Sequence, residues 1–493
     1  MAASGFPDRV AVQCGSETIT YAELFAAAGG AATDVADSGR ERMALLDVSS
    51  LAVPIGLFAS GWCGRPYVPL NYRLSGAELD ALLDRVEPAY LVTDSERAAL
   101  LSARSGITVV DRDGFVGRCR SAGAREASWS MDGEDVAILL FTSGTTGAPK
   151  AAVLRHRHLV SYILGSVEFG SAAESDAALV SVPPYHIAGM AAILSSVYAG
   201  RRIVQLPDFS ARRWLELVRT QAVTHAFVVP TMLARIVDAM EGGGEAACPG
   251  LRALSYGGGK MPQAVIERAM KLFPDAEFAN AYGLTETSST ITLLGPDEHR
   301  TAIASEDPEL RRRLISVGRP LPGVEIEIRD EEGEALGAGV SGEIYVRGEQ
   351  VSGEYLGKGR GVDDDGWFAT RDGGWMDPGG YLFVEGRIDD VIVRGGENLS
   401  PGEIEDTLLD HDAVLDCAVV GVADEQWGEA VVAVVVCRQG SAVGAGELKD
   451  WVRERLRSSR VPQRVEFRDE LPYNETGKLL RRKLRQELAG EAS

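Results

Sequence analysis

The chain has 493 residues, of which 45% are hydrophobic and 25% charged, and its formal net charge is −22 at pH 7. A chain of this length exceeds the size at which one hydrophobic core keeps growing, so we expect at least two domains. The acidic balance disfavours nucleic acid and anionic membranes as partners, and no apolar run approaches the ~18 residues of a membrane span. The six cysteines are scattered and form no Cys-x-x-Cys pair, and the N-terminus has no signal-peptide pattern. Both features are typical of a cytoplasmic protein without disulfides or zinc sites.

Short apolar runs alternate with helical patterns over the first two-thirds of the chain. The apolar runs lie at residues 43–48, 90–93, 178–182, 202–206 and 226–229, and the helical stretches include 211–222 and 262–272. This alternation predicts an α/β fold of layered, largely parallel sheets.

The pattern changes near residue 323. Alternating strands at 324–329, 343–347 and 381–384, with tight glycine-containing turns, predict a β-rich subdomain over about 320–387. Beyond it, a segment with its own apolar strands and a helix from about 401 to 409 predicts a small α+β domain. We therefore expect a large N-terminal domain over 1–387 and a small C-terminal domain over 388–493.

A loop of small hydroxylated residues and glycines follows the apolar run at 136–141. It contains Thr142, Ser143, Gly144, Thr145, Thr146 and Gly147, and it ends at Lys150. Glycines let backbone amides approach a phosphate, hydroxyls add donors, and a lysine adds positive charge. The loop is not a Walker motif, because Ala151 follows the lysine. A surface turn is the alternative, but six consecutive Thr, Ser and Gly residues behind a strand favour phosphate binding.

Four further clusters combine glycines, hydroxyls, aromatic rings and charges, at residues 255–259, 280–287, 366–390 and 474–478. Together with the loop at 142–150, they resemble the motifs of the adenylate-forming enzymes, a superfamily that includes acyl- and aryl-CoA synthetases, firefly luciferase and the adenylation domains of peptide synthetases. The resemblance runs from about residue 7 to 478, with the motifs in the family's order. It implies that a carboxylic acid is joined to AMP and then transferred to a thiol, with ATP, Mg²⁺ and coenzyme A as cofactors.

The resemblance assigns roles to residues of the N-terminal domain. Thr142 to Gly147 and Lys150 would hold the β- and γ-phosphates, Glu286 would bind Mg²⁺, and Thr285 would donate to the α-phosphate. Tyr282 would lie against the adenine ring. An exposed helix-capping acid is the alternative for Glu286, and a core tyrosine is the alternative for Tyr282.

The ribose is assigned to the β-rich subdomain. Asp372 would accept both ribose hydroxyls, and Arg387 would reach the ribose or the phosphates. The family usually has Thr-Gly-Asp here, whereas this chain has Thr370-Arg371-Asp372. If the glycine adopts a positive φ, Arg371 costs about 1 kcal/mol or changes the turn.

The resemblance also gives the C-terminal domain its roles. Lys478 would bridge the substrate carboxylate and the nucleotide, and is the most decisive residue of the site. Gly395 and Gly396 would line the tunnel for the pantetheine arm after the mobile domain rotates about Asp389. Between residues 453 and 485 lie eleven Lys or Arg and five Asp or Glu, which favours either a basic lid for polyanions or a solvated helix.

The sequence says less about the acid to be activated than about the nucleotide. In the adenylation domains of peptide synthetases, this motif usually carries an aspartate that pairs with the amino group of the substrate. This chain has His186 and no acidic residue over 183–190, so a free α-amino acid is not expected. The resemblance also implies that His186 lies beside the substrate carboxylate, and a buried structural histidine is the alternative. The predicted pocket has no charged residue, which favours an apolar acyl group; its members are Val228, Val229, Thr231, Gly257, Gly258 and Gly259. We expect a fatty acid of medium or long chain first and an aryl acid second.

Three alternatives remain at this point. The acceptor is either CoA or a carrier protein, which free CoA would distinguish. The chain could also be a non-catalytic relative or one that oxidises its adenylate, although Lys478, Glu286 and Asp372 are all present. A homodimer is compatible with the sequence but not indicated by it.

Overall fold

The computed structural model describes residues 1–121, 129–142, 150–243, 248–395, 397–424, 426–438, 440–441, 443–473 and 479–490. Ser143 to Gly147, Gly396 and Lys478, which the sequence assigns to the site, lie outside these residues. Within them, no helix has the length and apolar character needed to cross a membrane.

The strands of the described residues, in chain order, are β1 (Val10–Cys14), β2 (Glu17–Thr20), β3 (Arg42–Leu46), β4 (Tyr67–Pro69), β5 (Ala89–Thr93), β6 (Ile107–Asp111), β7 (Val136–Thr142), β8 (Lys150–Arg155), β9 (Ala177–Val180), β10 (Arg202–Gln205), β11 (His225–Val228), β12 (Ala253–Gly257), β13 (Glu277–Leu284), β14 (Ser289–Leu294), β15 (Arg319–Pro320), β16 (Val324–Arg329), β17 (Gly342–Gly348), β18 (Glu354–Tyr355), β19 (Gly359–Arg360), β20 (Phe368–Met376), β21 (Leu382–Arg387), β22 (Ile392–Arg394), β23 (Glu397–Leu399), β24 (Val414–Asp424), β25 (Gly428–Cys437) and β26 (Arg464–Phe467).

The α-helices of the same residues are α1 (Ala2–Gly5), α2 (Tyr21–Asp37), α3 (Ala52–Cys63), α4 (Gly76–Val86), α5 (Ser95–Leu101), α6 (Arg112–Ser121), α7 (His156–Ser166), α8 (Ile187–Ala199), α9 (Ala211–Thr220), α10 (Pro230–Gly243), α11 (Gln263–Leu272), α12 (Pro296–Ala304), α13 (Pro308–Arg312), α14 (Pro401–Leu409), α15 (Ala445–Arg455) and α16 (Arg481–Gly490). Short 3₁₀ turns at Thr285–Thr287 and Ile388–Asp390 carry residues of interest.

Two large mixed sheets form the N-terminal domain. The first has the order β15-β14-β13-β12-β11-β9-β10-β1-β2, and its central strands from β13 to β1 run parallel. The second has the order β19-β18-β8-β7-β4-β3-β5-β6, in which β7 to β6 run parallel and β8 and β18 are antiparallel additions. The βα alternation of the sequence therefore predicted this part of the fold correctly, because parallel strands need helical crossovers.

The β-rich part is a four-stranded antiparallel sheet of order β16-β17-β20-β21. Its strands Val324–Arg329 and Gly342–Gly348 lie where the alternating pattern predicts them. The sheet delivers Asp372 on β20 directly opposite Arg387 on β21.

The small C-terminal domain is built on the long hairpin of β24 and β25, with β26 parallel to β25. Alternate side chains of the hairpin enter two different apolar clusters: Val419 and Val431 join one with α14 and α15, whereas Val420 and Val432 join another with Leu484 of α16. Both faces of the hairpin are therefore covered, which is why its strands read as unbroken apolar runs. The molecule is thus α/β, with a large N-terminal sheet domain and a small C-terminal domain.

Several polar contacts join the C-terminal part to the N-terminal sheets. The ammonium of Lys260, directly after the glycine run that ends β12, lies 2.5 Å from Asp406 of α14 and 3.3 Å from the carbonyl of Gly402. A Cβ on Gly402 would lie 2.4 Å from the carbonyl oxygen of Glu385, so only glycine allows this close approach.

Candidate active site

The phosphate-binding loop predicted from the sequence is attached to two paired antiparallel strands. Thr142 ends β7, Lys150 begins β8, and the two residues face each other in the ladder. The Thr142 hydroxyl donates to the Lys150 carbonyl at 3.4 Å. The structure thus brings both ends of the loop together, while the residues between them are not described.

Glu286 lies in the tight 3₁₀ turn that follows β13. Its carbonyl accepts hydrogen bonds from the amides of Ser352 and Gly353, at 2.8 and 3.2 Å. The next residue, Thr287, is fully buried, and its carbonyl accepts from the Gln350 amide group at 3.0 Å. These buried bonds fix the turn, so that the half-buried Glu286 side chain starts from a rigid backbone.

The backbone around this turn is unusual. Ser288 and Ser289 have positive φ values of 57° and 115° although neither is glycine. A Cβ on Gly283 would lie only 1.8 Å from the carbonyl oxygen of Ser289, so this position requires glycine. Non-glycine residues in such conformations cost of order 1–3 kcal/mol each and often occur at functional sites.

Glu286 also has a side-chain partner that the sequence analysis did not identify. The Tyr355 hydroxyl donates to Glu286 Oε1 at 2.5 Å, and burial together with the Glu286 charge raises the pKa of Tyr355, so the tyrosine keeps its proton and donates. Tyr355 lies on β18 far along the chain, and no local pattern in the sequence points to it.

The Glu286 carboxylate fits the role of a magnesium ligand. In the described part of the chain, no Arg, Lys or His lies within 4.0 Å of it, so no ion pair occupies its charge. A hard cation such as Mg²⁺ is bound in proteins by one or two carboxylates together with phosphate oxygens and water. A single carboxylate with one oxygen held by Tyr355 meets that requirement, although no group of three or more potential metal ligands occurs in the described residues.

The predicted ribose and adenine residues form one connected group. The Tyr282 hydroxyl donates to Asp372 Oδ2 at 2.7 Å, and Arg387 Nε lies 3.1 Å from Asp372 Oδ1. Arg387 also donates to the Thr370 carbonyl at 2.8 Å. Burial and the Asp372 charge raise the pKa of Tyr282 well above its usual value, so Tyr282 acts as a donor to a carboxylate that is only 7% exposed.

Arg371 adopts the conformation that the family glycine would favour. Its φ is +63°, and its backbone amide donates to Glu343 Oε1 at 3.1 Å. The guanidinium reaches Asp389 at 2.9 Å, although both side chains are about half exposed. The turn is therefore kept, Asp372 stays in place, and the strain predicted for a non-glycine residue is present.

His186 lies at a separate place, immediately before α8. The residue is partly exposed, but its Nε2 is buried and has no hydrogen-bond partner in the described structure. Its ring lies 4.5 Å from that of Tyr185, centroid to centroid. Burial, with a smaller contribution from Arg73, lowers the pKa of His186 to about 4. A neutral histidine with an unused nitrogen can bind a polar group of a ligand, which leaves the predicted role available.

The glycine run at the end of β12 has mainly a backbone explanation. A Cβ on Gly257 would lie 2.1 Å from the carbonyl oxygen of Ala281 on the neighbouring strand, and Gly258 has a φ of +80°. Gly258 and Gly259 are exposed. Sheet packing therefore requires glycine at position 257, and the place of the three glycines in the substrate pocket stays a prediction. Val228 and Val229 are buried in the main apolar cluster.

The segment predicted to face CoA is described up to Gly395. This glycine has a φ of +58°, and its amide donates to the Trp427 carbonyl at 2.7 Å. The left-handed φ favours glycine, and a Cβ there would crowd the Trp427 ring at 3.1 Å.

The basic C-terminal stretch uses much of its charge internally. Arg460 pairs with Glu397 and Glu403 at 2.6 and 2.7 Å, and Arg481 pairs with Glu405 at 2.5 Å. Part of the excess basic charge is therefore balanced by acidic partners. The polyanion lid and the solvated helix both stay predictions of the sequence.

Comparison with known proteins finds relatives along nearly the whole chain. The family model described as AMP-binding enzyme matches residues 1–356, and the model of the AMP-binding enzyme C-terminal domain matches residues 403–478. The chain is 32% identical over 515 residues to fatty acid–[acyl-carrier-protein] ligase ScoC of Streptomyces coeruleorubidus, which covers 99% of this chain and 95% of that protein. It is 32% identical over 486 residues to feruloyl-CoA synthase of an Amycolatopsis species, covering 97% and 96%. It is 34% identical over 489 residues to 2-succinylbenzoate–CoA ligase of Bacillus licheniformis, covering 97% of each.

Solved structures show the same architecture. ATP-bound MatB from Rhodopseudomonas palustris superimposes with a TM-score of 0.87 at 28% identity, covering 100% of this chain and 99% of that one. The TM-score is 0.85 at 30% identity for MenE from Bacillus subtilis in complex with the acyl-adenylate OSB-AMP, covering 98% and 96%. Apo MatB, at 28% identity and with the same coverage as the ATP-bound form, gives 0.76, so the described chain is more similar to the ATP-bound form.

Proposed function

We propose that this chain, which belongs to the AMP-binding enzyme family and is an AMP-forming acid–CoA ligase, activates an apolar carboxylic acid as its acyl-adenylate and transfers the acyl group to coenzyme A. The observation that carries the proposal is the connected group of Tyr282, Asp372 and Arg387. It offers a buried carboxylate, an aromatic ring and a guanidinium at one place, which are the groups that a nucleoside with a charged tail requires.

In this proposal the nucleoside binds by exchanging partners at Asp372. Tyr282 donates to one carboxylate oxygen and Arg387 pairs with the other, so the two ribose hydroxyls would take the place of protein groups at this acceptor-only carboxylate. Arg387 would then orient the carboxylate or move toward the α-phosphate. The ring of Tyr282 is proposed to face the adenine.

The triphosphate is proposed to lie between the two ends of the predicted loop and the Glu286 turn. Lys150 and the loop hydroxyls would hold the β- and γ-phosphates, Thr285 would donate to the α-phosphate, and Glu286 would hold Mg²⁺. When bound, the metal ion would offset phosphate charge and favour departure of pyrophosphate. The protein's part is to hold these donors in place before the reaction, which lowers the cost of orienting two anions.

We propose that residues 1–387 and 388–493 act as two domains and that Lys478 of the second enters the site. Lys478 would lie between the acid and the α-phosphate, where a cation offsets the charge that develops as the carboxylate oxygen attacks phosphorus. The difference in TM-score between the ATP-bound and apo forms of one relative supports a mobile C-terminal domain. The same mobility would bring Gly395 and Gly396 to the pantetheine arm for the second step.

The acid is proposed to be apolar, with its carboxylate near His186. The residues proposed to line the pocket carry no charge, and His186 is neutral above about pH 4, so neither would pair with a second charge on the acid. We place a fatty acid of medium or long chain first. An aryl acid is comparably supported, because relatives of this chain include a feruloyl-CoA synthase and 2-succinylbenzoate–CoA ligases. The reaction is proposed to take place in the cytoplasm, in keeping with six free cysteines.

The second candidate differs in its acceptor. The relative ScoC is a fatty acid–[acyl-carrier-protein] ligase, so a carrier protein is the alternative to CoA. The relevant test is AMP release from a panel of a fatty acid, ferulate and 2-succinylbenzoate, each assayed without an acceptor, with CoA and with an acyl carrier protein. We expect one acid class to dominate and CoA to accelerate AMP release; acceleration by a carrier protein alone would select the second candidate, and equal rates for all acids without CoA dependence would refute the ligase proposal.

A further inference from the structure

Tyr355 contacts both charges of the proposed triphosphate site. Its hydroxyl donates to Glu286 Oε1 at 2.5 Å, and the ammonium of Lys150 lies 5.5 Å from the centroid of its ring, over the face. The hydrogen bond to Glu286 requires a protonated hydroxyl, and the face of an aromatic ring attracts a cation.

The segment that carries Tyr355 also holds the backbone of Glu286. The amides of Ser352 and Gly353 donate to the Glu286 carbonyl. One short segment therefore fixes both the main chain and one carboxylate oxygen of this residue. A glutamate that is not held in this way loses side-chain entropy when a cation binds and orders it, and this loss weakens binding.

Strand β8 fixes this segment in turn. Glu354 forms a two-point ion pair with Arg155 at the end of β8, with distances of 2.9 and 2.8 Å. Tyr355 faces Ala152 in the ladder, and the amide of Leu356 donates to the Ala151 carbonyl at 2.9 Å. Since β8 begins at Lys150, the position of Tyr355 couples the end of the phosphate loop to the Glu286 turn.

The ring also separates two opposite charges. In the part of the chain that the structure describes, no ion pair joins Lys150 to Glu286. A direct pair would occupy the ammonium that phosphates need and the carboxylate that a cation needs. With Tyr355 between them, each charge stays available for its own ligand.

We infer that Tyr355 is a positioning residue of the adenylation site, whose hydroxyl orients Glu286 for a divalent cation and whose ring keeps Lys150 apart from that carboxylate. The inference rests on the proposed function, because it takes Glu286 as the residue that holds the metal. Groups that orient a metal ligand typically affect metal affinity about 10-fold to 100-fold.

The test measures the affinity of the full chain for α,β-methylene-ATP by calorimetry, once in EDTA and once with Mn²⁺. The ratio of the two affinities reports how strongly the metal and the nucleotide bind together, independently of turnover. We expect Tyr355→Phe to lower this ratio about 10-fold and to leave the affinity in EDTA unchanged, because the ring still separates Lys150 from Glu286. Tyr355→Leu should lower both, since Lys150 can then pair with Glu286.

Tyr21→Phe is the matched control. It also removes one hydroxyl from a buried tyrosine, which donates to the Arg201 carbonyl at 2.8 Å, and it should leave both affinities unchanged. Glu286→Gln distinguishes a failure of the inference on Tyr355 from a failure of the proposed metal ligand. If Glu286→Gln lowers the ratio but Tyr355→Phe does not, the inference on Tyr355 is wrong and the proposed function stands; if Glu286→Gln has no effect either, the proposed metal ligand is wrong. If Tyr355→Phe and Tyr355→Leu bind α,β-methylene-ATP equally well in EDTA, the ring does not keep Lys150 apart from Glu286.

Discussion

Replacing Arg371 by glycine tests the strain that this chain carries where the family usually has glycine. Arg371 has a φ of +63°, a conformation that glycine adopts at no steric cost and other residues do not. Arg371→Ala serves as the partner variant, because it removes the same side chain but keeps a Cβ at the strained position.

The expected difference follows from three contributions. The left-handed conformation costs a residue with a Cβ about 1–2 kcal/mol, whereas glycine gives up about 0.4–1 kcal/mol through the greater freedom of its unfolded chain. The ion pair between Arg371 and Asp389 joins half-exposed side chains and contributes about 0–1 kcal/mol. The bond from the backbone amide to Glu343 is available to all three residues. The free energy of unfolding of Arg371→Gly should thus lie close to that of the wild type and exceed that of Arg371→Ala by about 0.5–1 kcal/mol.

Urea denaturation followed by far-ultraviolet circular dichroism measures this difference from the midpoints, provided that the slopes agree among the variants. Asp389→Asn in the wild-type and Arg371→Gly backgrounds completes the comparison: it should destabilise only the protein that still has Arg371. An alanine variant as stable as the glycine variant would refute the assignment of strain to this turn.

Three further outcomes are expected. Lys478→Ala should lower acyl-adenylate formation by orders of magnitude in a pyrophosphate-release assay, and near-normal release would refute its role. Asp372→Asn should raise the KM for ATP about 10-fold or more, because the amide cannot accept on both sides, and an unchanged KM would contradict the ribose assignment. Burial raises the pKa of Asp416 to about 6 despite a bond from Tyr473, so the folded protein holds this proton over a range in which the unfolded chain has released it. Wild-type stability should therefore fall as pH rises from about 4 to 6; Asp416→Asn should lose this decline in urea midpoints, and an unchanged pH dependence would contradict the shift.

The order and type of the elements could be predicted well from the sequence. Residues 401–409 form the predicted helix, and the apolar run at 324–329 forms the predicted strand, because hydrophobic periodicity and helix-starting residues act over one or two turns of chain. The sequence shows a glycine at 257 but not why the fold needs one. The neighbouring strand creates that need, and pairing between β12 and β13 cannot be read from either strand alone.

Sequence patterns could not predict which distant segments come into contact. Glu286 and Tyr355 are 69 residues apart, yet they share a hydrogen bond, since both positions are set by the sheet containing β8 and by the turn after β13. The basic stretch near the C-terminus shows the same limit. The sequence gives the excess of basic residues there, whereas only the structure shows that Arg481 pairs with Glu405 of another helix.

The sequence by itself determined which chemical groups this protein has and in what order: a hydroxyl- and glycine-rich loop, an acid after a tyrosine, an aspartate in a turn and a lysine near the end. These follow from residue types and short spacings. Only the tertiary structure decided which of those groups meet, and with which partners: Tyr282 with Asp372, Arg371 with Asp389, and Tyr355 between Lys150 and Glu286. The physical reason is that side-chain contacts act over a few ångströms, and the register of paired strands brings residues within that distance wherever they lie along the chain.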